Sequence, residues 1–444
     1  MSVIQQFFKE HGISEVEAII PDMAGVARGK IMPAKKFAEE EGMRLPESIF
    51  LQTVTGDYPD DERAISPSEI DIVLKADPKA VRVVPWAAEP TAQVIHDSFY
   101  SDGRPVTMAP RYLLQHVLEL YAQHGWEPVV APELEFFLVE PNIDADYPLK
   151  PPVGRSGRPE IGRQSYSIAA VNEFDPLFDD IYAFCEAQDI EIDTLIHEDG
   201  AAQMEINLLH GNALSLADQV FLFKRTAREA ALRHKMYATF MAKPMAREPG
   251  SAMHIHQSVL DSRTGKNVFS DAEGKPSSLF FSHIAGLQKY LPAAMALFAP
   301  NVNSYRRITR HLSAPINTQW GYDNRTAGLR VPVSNAENRR VENRVGGADA
   351  NSYLAIAASL ACGYLGMVEG LKPSEPVSGS AYDLPFSLPR NLEDSLRLLR
   401  ESRPLIEILG ERFVLAFAAV KESEFETFLQ VISSWEREHL LLNV

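Results

Sequence analysis

Apolar residues bracket two glutamates in Ala131-Pro132-Glu133-Leu134-Glu135-Phe136-Phe137-Leu138, a run with the length and aromatic content of a strand. On a strand, residues i and i+2 point to one face, so Glu133 and Glu135 project side by side. Two like charges that close repel unless something positive sits between them. Taken alone, the run reads equally well as a half-exposed strand. Strand-like patterning recurs at Val16–Ile20, Ile70–Leu74, Val81–Val84, Glu127–Glu140, Ile190–His197 and Gln203–Leu209. Helical spacing predicts a short amphipathic helix over residues 3–11, then longer ones at Arg111–Gln123, Pro176–Gln188 and Ala217–Tyr237. The C-terminal third reads as mostly helical, with Leu392–Leu399 and Glu411–Leu442 rich in charge and leucine. Tyr353–Val368 is the most apolar later stretch, but it is short for a membrane span and contains Ala, Ser and Gly. A buried helix is the expectation there.

Between the first two strands lies Asp22-Met23-Ala24-Gly25-Val26-Ala27-Arg28-Gly29-Lys30, whose composition suits a solvated hairpin loop. Pro- and Asp-rich segments at Tyr58–Ser68 and Ser101–Pro110 break the pattern and place a domain boundary near residues 100–110. The alternation of strands and helices beyond it predicts an α/β or α+β domain with a substantial sheet. A Gly/Pro/Arg-rich loop at Pro148–Ile161 interrupts that domain and is long enough to be functional.

Composition narrows the classes. The formal net charge of −17 opposes nucleic-acid binding, which needs an excess of Lys and Arg. The two cysteines, Cys185 and Cys362, exclude a multi-thiolate metal site and fit a reducing cytoplasm. Met1–Glu10 lacks a basic start followed by an apolar core, so no signal peptide is expected.

Three further segments carry candidate chemistry. His197-Glu198 and Gln203-Met204-Glu205 read as two strands joined by a tight turn; a turn centred on Ala201-Ala202 makes Glu198 and Glu205 a cross-strand pair. Met253-His254-Ile255-His256 puts two histidines on one strand face, where a lone one is usually structural. Arg340-Val341-Glu342-Asn343-Arg344 sets a glutamate between two arginines, a pattern shared with surface ion-pair ladders. Arg306, Arg307, Arg325 and Arg330 add more guanidinium forks. Five carboxylates with one or two imidazoles and no thiolate favour Mg²⁺ or Mn²⁺. Metals beside arginines suit phosphoryl transfer, and no Walker or GxGxxG motif is present. From the residues alone, the chain reads as a Mg²⁺-dependent, ATP-using enzyme.

These segments, in this order, resemble the glutamine synthetase family from Asp22 to about Leu399, including Asn324-Arg325 and Leu329-Arg330-Val331-Pro332. The resemblance implies an α+β fold: a β-grasp N-terminal domain (1–105) and a catalytic domain (106–444) whose curved antiparallel sheet forms a funnel. It implies a cytoplasmic double-ring dodecamer, with each active site completed by the neighbouring subunit's N-terminal domain. It also implies Glu135, Glu198 and Glu205 as ligands of one Mg²⁺ or Mn²⁺, and Glu133, His254 and Glu342 as ligands of a second. Arg325, Arg330 and Arg340 match residues on ATP phosphates, with His256 and Ser258 on the nucleotide side. Gly250, Arg307 and Arg344 match glutamate contacts. Asp22 matches the acid that deprotonates the nitrogen nucleophile.

One departure bears on which nitrogen attacks. In His311-Leu312-Ser313-Ala314-Pro315, Ser313 stands where ammonia-using members of the family carry a glutamate. Losing that anion weakens capture of ammonium and leaves room for a larger amine. The pattern resembles the branch that joins glutamate to organic amines, the γ-glutamylputrescine and γ-glutamylpolyamine synthetases. The expectation is ligation to putrescine, spermidine or a monoamine; the alternatives are glutamine synthesis from ammonia and a non-catalytic assembly protein. Tyr382-Asp383-Leu384-Pro385 resembles a loop that is adenylylated in some relatives, although the loop after it is shorter here.

Overall fold

Helix α1 (Val3–Glu10) begins at Ser2, whose hydroxyl accepts from the Gln5 amide while the Gln5 side chain accepts from the Ser2 amide. That reciprocal cap fixes the first turn. The computed structural model describes residues 2–39, 43–61, 64, 68–310 and 314–444. Ser313, and part of the Tyr58–Ser68 segment, therefore lie outside the described residues.

Strands β1 (Glu15–Pro21), β2 (Ala27–Pro33), β3 (Met43–Pro46), β4 (Asp71–Val83) and β5 (Thr91–Phe99) form a five-stranded sheet ordered β2-β1-β5-β4-β3. Helix α2 (Ala34–Glu39) packs on β1 and β2. The β1–β5 pair is parallel and its other neighbours are antiparallel. Two sequence expectations change here. Ile70–Leu74 and Val81–Val84 are one strand, β4, irregular between Ala76 and Val81 where Pro78 offers no ladder N–H. The Asp22–Lys30 segment is a hairpin whose second half is already β2, with Pro21 opposite Ala27.

The second sheet runs β12 (Trp320–Tyr322), β13 (Leu329–Val331), β14 (Val341–Asn343), β11 (Met253–Asp261), β6 (Trp126–Val139), β8 (Gln203–Leu208) and β7 (Ile192–His197). Short β9 (Gly211–Asn212) and β10 (Tyr237–Thr239) also pair with β6, and all pairings are antiparallel except β12–β13. The β6 residues on the face away from the glutamates, Leu134, Phe136 and Leu138, are buried, and Phe136 meets Phe223 and Phe240 edgewise or tilted. The helices are α3 (Pro110–Ala122), α4 (Ile168–Val171), α5 (Asp175–Ala187), α6 (Ala213–Arg233), α7 (Ser278–Phe298), α8 (Ser352–Glu369), α9 (Leu392–Glu401), α10 (Arg403–Leu409), α11 (Glu411–Leu429) and α12 (Ser434–Leu440). The mixed α+β fold is the expected class. Helix α8 is long and apolar enough to cross a membrane, yet 89% of it is buried against the rest of the protein. Its partner α7 approaches so closely that a Cβ on Gly286 would lie 2.2 Å from the Cys362 carbonyl oxygen. The Glu411–Leu442 region divides into α11 and α12.

Arg111, at the start of α3, ties the first sheet to helix α6. Its guanidinium, 3% exposed, donates to Asp77 on β4 at 2.6 Å, to Asp97 on β5 and to both oxygens of Asp218 on α6 at 3.0 Å. The Tyr353 hydroxyl on α8 donates to Asp218 at 2.6 Å. Three half-buried carboxylates share one buried fork, and each has a direct guanidinium bond.

Candidate active site

Strand register alone assembles a row of ionisable side chains across the second sheet. Glu133 stands opposite His254, Glu135 opposite Glu205, and His256 and Arg330 each opposite Glu342. Because side chains alternate with a period of two, Glu133 and Glu135 share a face with those partners. The two expected motifs, on β6 and β11, are thus neighbouring strands in register.

The His197–Glu205 hairpin differs in detail from its expected form. Glu198 donates its amide to Gln203 O, so the turn centres on Gly200-Ala201 and Glu205 faces Ile196. Glu198 and Glu205 are diagonal neighbours rather than directly opposed. Two local features set this register: Ala202 takes a left-handed φ of 54°, and the Gln203 side chain accepts the Gly200 amide at 3.0 Å. The carboxylates still converge, since single oxygens of Glu135, Glu198 and Glu205 lie within 4.8 Å of one another. The same spacing joins Glu133, Glu205 and His254, and separately Glu133, His256 and Glu342.

The electrostatics of the two ends differ. Burial, then repulsion from Glu198, pushes Glu135 up to about 8. Burial, followed by repulsion from Glu133, Glu135 and Glu198, pushes Glu205 up to about 9. Burial also raises Glu198, with Arg325 and Arg344 pulling the other way. At the other end burial works against Glu342, but Arg344 and His254 outweigh it and hold the carboxyl at about 2. Burial and then Arg344 drive His254 down to about 4, leaving a neutral imidazole with a lone pair to offer. Neutral imidazole plus clustered oxygens of mutually repelling acids is the donor set of a hard divalent cation.

The guanidiniums divide the labour. Arg330 donates to Glu342 at 2.8 Å and to Asp323 at 3.0 Å, and Arg344 donates to Glu342's other oxygen. Glu342 is buried, so the alternative of a surface ion-pair ladder does not hold: the arginines form an interior clamp. Arg340 donates from Nε to His256 Nδ1 at 3.2 Å, which leaves the ring's proton on Nε2, where it meets Glu133 at 2.7 Å. Arg307 is buried and donates to the carbonyls of Arg344 and Val345 at 3.0 and 2.9 Å. Its stem crosses Gly250, where an added Cβ would come within 2.5 Å of Arg307 Cγ, so glycine is required there. Arg325 is exposed and acts on Glu198 through its charge. Ser258 lies with Val130, Glu133, His210, His256 and Arg340 on a cavity of about 730 Å³.

Asp22 sits apart from this row. Its Oδ1 accepts from the amides of Ala24 and Val26 at 2.9 and 2.8 Å, and its Oδ2 accepts from Arg28 at 2.8 Å. Asn351 donates to its carbonyl at 2.8 Å, and burial raises its carboxyl pKa. Three residues near the row had no assigned role in the sequence. Gln203 donates to Glu135 at 3.3 Å and to Gly250 O at 2.9 Å, Asp323 braces Arg330, and Glu160 meets His197 at 2.6 Å. Asp323 is signalled by its place beside Asn324-Arg325; Glu160 lies in the Pro148–Ile161 loop, whose length marks it as functional but whose lack of periodicity singles out no residue.

Comparison with known proteins agrees with this geometry. Residues 107–440 match the glutamine synthetase catalytic domain. Gamma-glutamylputrescine synthetase PuuA of Escherichia coli K12 is 37% identical over 96% of this chain and 92% of its own length. Glutamate–isopropylamine ligase of a Pseudomonas species is 32% identical over 98% and 96%. A solved structure of GmaS without ligand superposes with a TM-score of 0.84 at 28% identity, covering 100% of both chains. The similarity runs essentially from end to end, and the chain belongs to the glutamine synthetase family.

Proposed function

We propose that the protein is an ATP-dependent glutamate–amine ligase, joining the γ-carboxylate of glutamate to a primary organic amine through γ-glutamyl phosphate. The observation that carries this reading is the convergence of Glu133, Glu135, Glu198, Glu205, His254 and Glu342 on one sheet face in a chain related to amine ligases. Glu135, Glu198 and Glu205 would hold one divalent cation, Mg²⁺ or Mn²⁺, and Glu133, His254 and Glu342 the second. When bound, such a pair neutralises charge where two anions must meet.

The chain's own residues supply the rest. Val130, His256, Ser258 and Arg340 line a cavity of about 730 Å³, ample for a nucleotide, and Arg340 there orients the His256 ring. Arg330 and Arg325 face developing phosphate charge, Arg330 being braced by Asp323 and Glu342. Arg344, anchored on Glu342, and Arg307, threaded over Gly250, form the glutamate end. The attacking nitrogen must be neutral, and Asp22, donated by a neighbouring subunit, accepts its proton. Residues 1–105 and 106–444 serve as the two domains of a cytoplasmic dodecamer of two hexameric rings. Ser313 marks the amine end, and its small neutral side chain admits putrescine, spermidine or a monoamine in place of ammonium.

The test is ATP-dependent phosphate release with Mg²⁺ and glutamate, comparing ammonium with methylamine, isopropylamine, benzylamine, putrescine and spermidine. An organic amine should exceed ammonium in kcat/KM by at least tenfold. Preference for ammonium would make the protein a glutamine synthetase, and silence with every amine would remove the catalytic reading.

A further inference from the structure

The hairpin tip that carries Glu198 is gripped from outside the sheet. The loop running from Glu160 to Tyr166 docks on it through five hydrogen bonds. Glu160 Oε1 meets His197 Nε2 at 2.6 Å, the Arg163 amide donates to Asp199 O at 2.7 Å, and the Tyr166 amide donates to His197 O at 2.9 Å. Arg163 Nη1 reaches Asp199 Oδ2 at 2.8 Å and Ser165 Oγ reaches Asp199 Oδ1 at 3.3 Å. Arg163 and Tyr166 both adopt left-handed φ, 75° and 63°, which non-glycine residues hold only when surroundings impose it.

Only one of these bonds between side chains is fully interior. The His197 side chain is 0% exposed and that of Glu160 is 4% exposed, whereas those of Arg163 and Asp199 are 60% and 47% exposed. The other ring nitrogen of His197, Nδ1, lies 2.6 Å from the carbonyl of Glu198 itself. A carbonyl can only accept, so the ring donates there and fixes the Glu198 peptide. Glu160 therefore reaches the Glu198 backbone through one imidazole, the carboxylate–histidine relay by which proteins orient the groups around a metal site.

We propose that Glu160 is a positioning residue, holding Glu198 in its ligand geometry through the buried Glu160–His197 contact. The proposal rests on the two-cation reading of the site. Its consequence is selective: the cation held by Glu135, Glu198 and Glu205 depends on Glu160, and the one held by Glu133, His254 and Glu342 does not.

The experiment is Mn²⁺ binding to chelator-treated full-length protein without nucleotide, following free Mn²⁺ by its electron paramagnetic resonance signal. Wild type should bind two ions per subunit. Glu160→Ala should weaken one of them about 10- to 100-fold and leave the other within twofold. Glu160→Gln, which keeps an acceptor for the ring, should restore most of the loss. Arg155→Ala, upstream of that loop and paired with Glu173, should match wild type. Two unweakened sites in Glu160→Ala, or equal weakening of both in Glu160→Ala and Glu160→Gln, would overturn the proposal while sparing the two-cation reading. Fewer than two sites in wild type would overturn both.

Discussion

The protein gathers two triads of acids, and they are built in opposite ways. Asp77, Asp97 and Asp218 surround Arg111, which bonds all three, and the Arg111 and backbone partners of Asp77 outweigh its burial and lower its pKa. Among the described residues no cationic side chain bonds Glu135, Glu198 or Glu205; burial raises all three, and repulsion from neighbouring glutamates adds to it at Glu135 and Glu205. The first triad is a joint between the first sheet and helices α3 and α6. The second is a receptor for positive charge that no described side chain supplies by a direct bond. Direct bonding to a cation, rather than the number of acids, separates architecture from chemistry here.

Substitutions should affect the triads in different currencies. The largest effect expected is on catalysis. Glu205→Gln should lower kcat/KM for amide formation about a thousandfold, the equivalent of roughly 4 kcal/mol of lost charge stabilisation. The variant should nevertheless fold at least as stably as wild type without metal, because the cost of holding Glu205 protonated in the folded state is gone. Coupled-assay kinetics and urea denaturation of the same preparation check both halves. Arg111→Met should do the reverse, stranding three half-buried acids around a buried site and lowering stability by about 3–5 kcal/mol. Urea midpoints report that loss, and activity of the fraction that remains folded should stay near normal.

The smallest effect is a pH dependence. In chelated protein Glu135 and Glu205 titrate at about 8 and about 9, above the 4.5 of an unperturbed glutamate. The folded state therefore holds extra protons, and these two groups destabilise it increasingly as pH rises from 4.5 through 9. Melting temperature of wild type should fall between pH 6 and 9 more steeply than that of Glu205→Gln. Identical slopes would count against this reading of the second triad.

Much of this site was legible in the chain because strand period and strand register are short-range rules. Glu133 and Glu135 on β6, and His254 and His256 on β11, needed only the period of two to share a face. The reading failed where a side chain or an unusual φ sets the geometry. Ala202 in a left-handed conformation and the Gln203 cap moved the hairpin turn by one position, and alanine gives no warning of either. Strand β5 escaped notice because Gln93, His96 and Asp97 interrupt its apolar run; their partners, Gln188, the Val94 carbonyl and Arg111, come largely from elsewhere in the fold. Pairings such as Glu160 with His197 join residues 37 apart through a loop, and no local pattern encodes them.

The most direct test is the stability of chelated protein with and without added Mn²⁺, measured for wild type beside Glu205→Gln. At Mn²⁺ a hundredfold above its dissociation constant, wild type should gain about 2.7 kcal/mol for each site filled. Glu205→Gln should start out more stable and gain markedly less. Equal gains in the two proteins, or none in wild type, would contradict the claim that this triad is built to receive a cation.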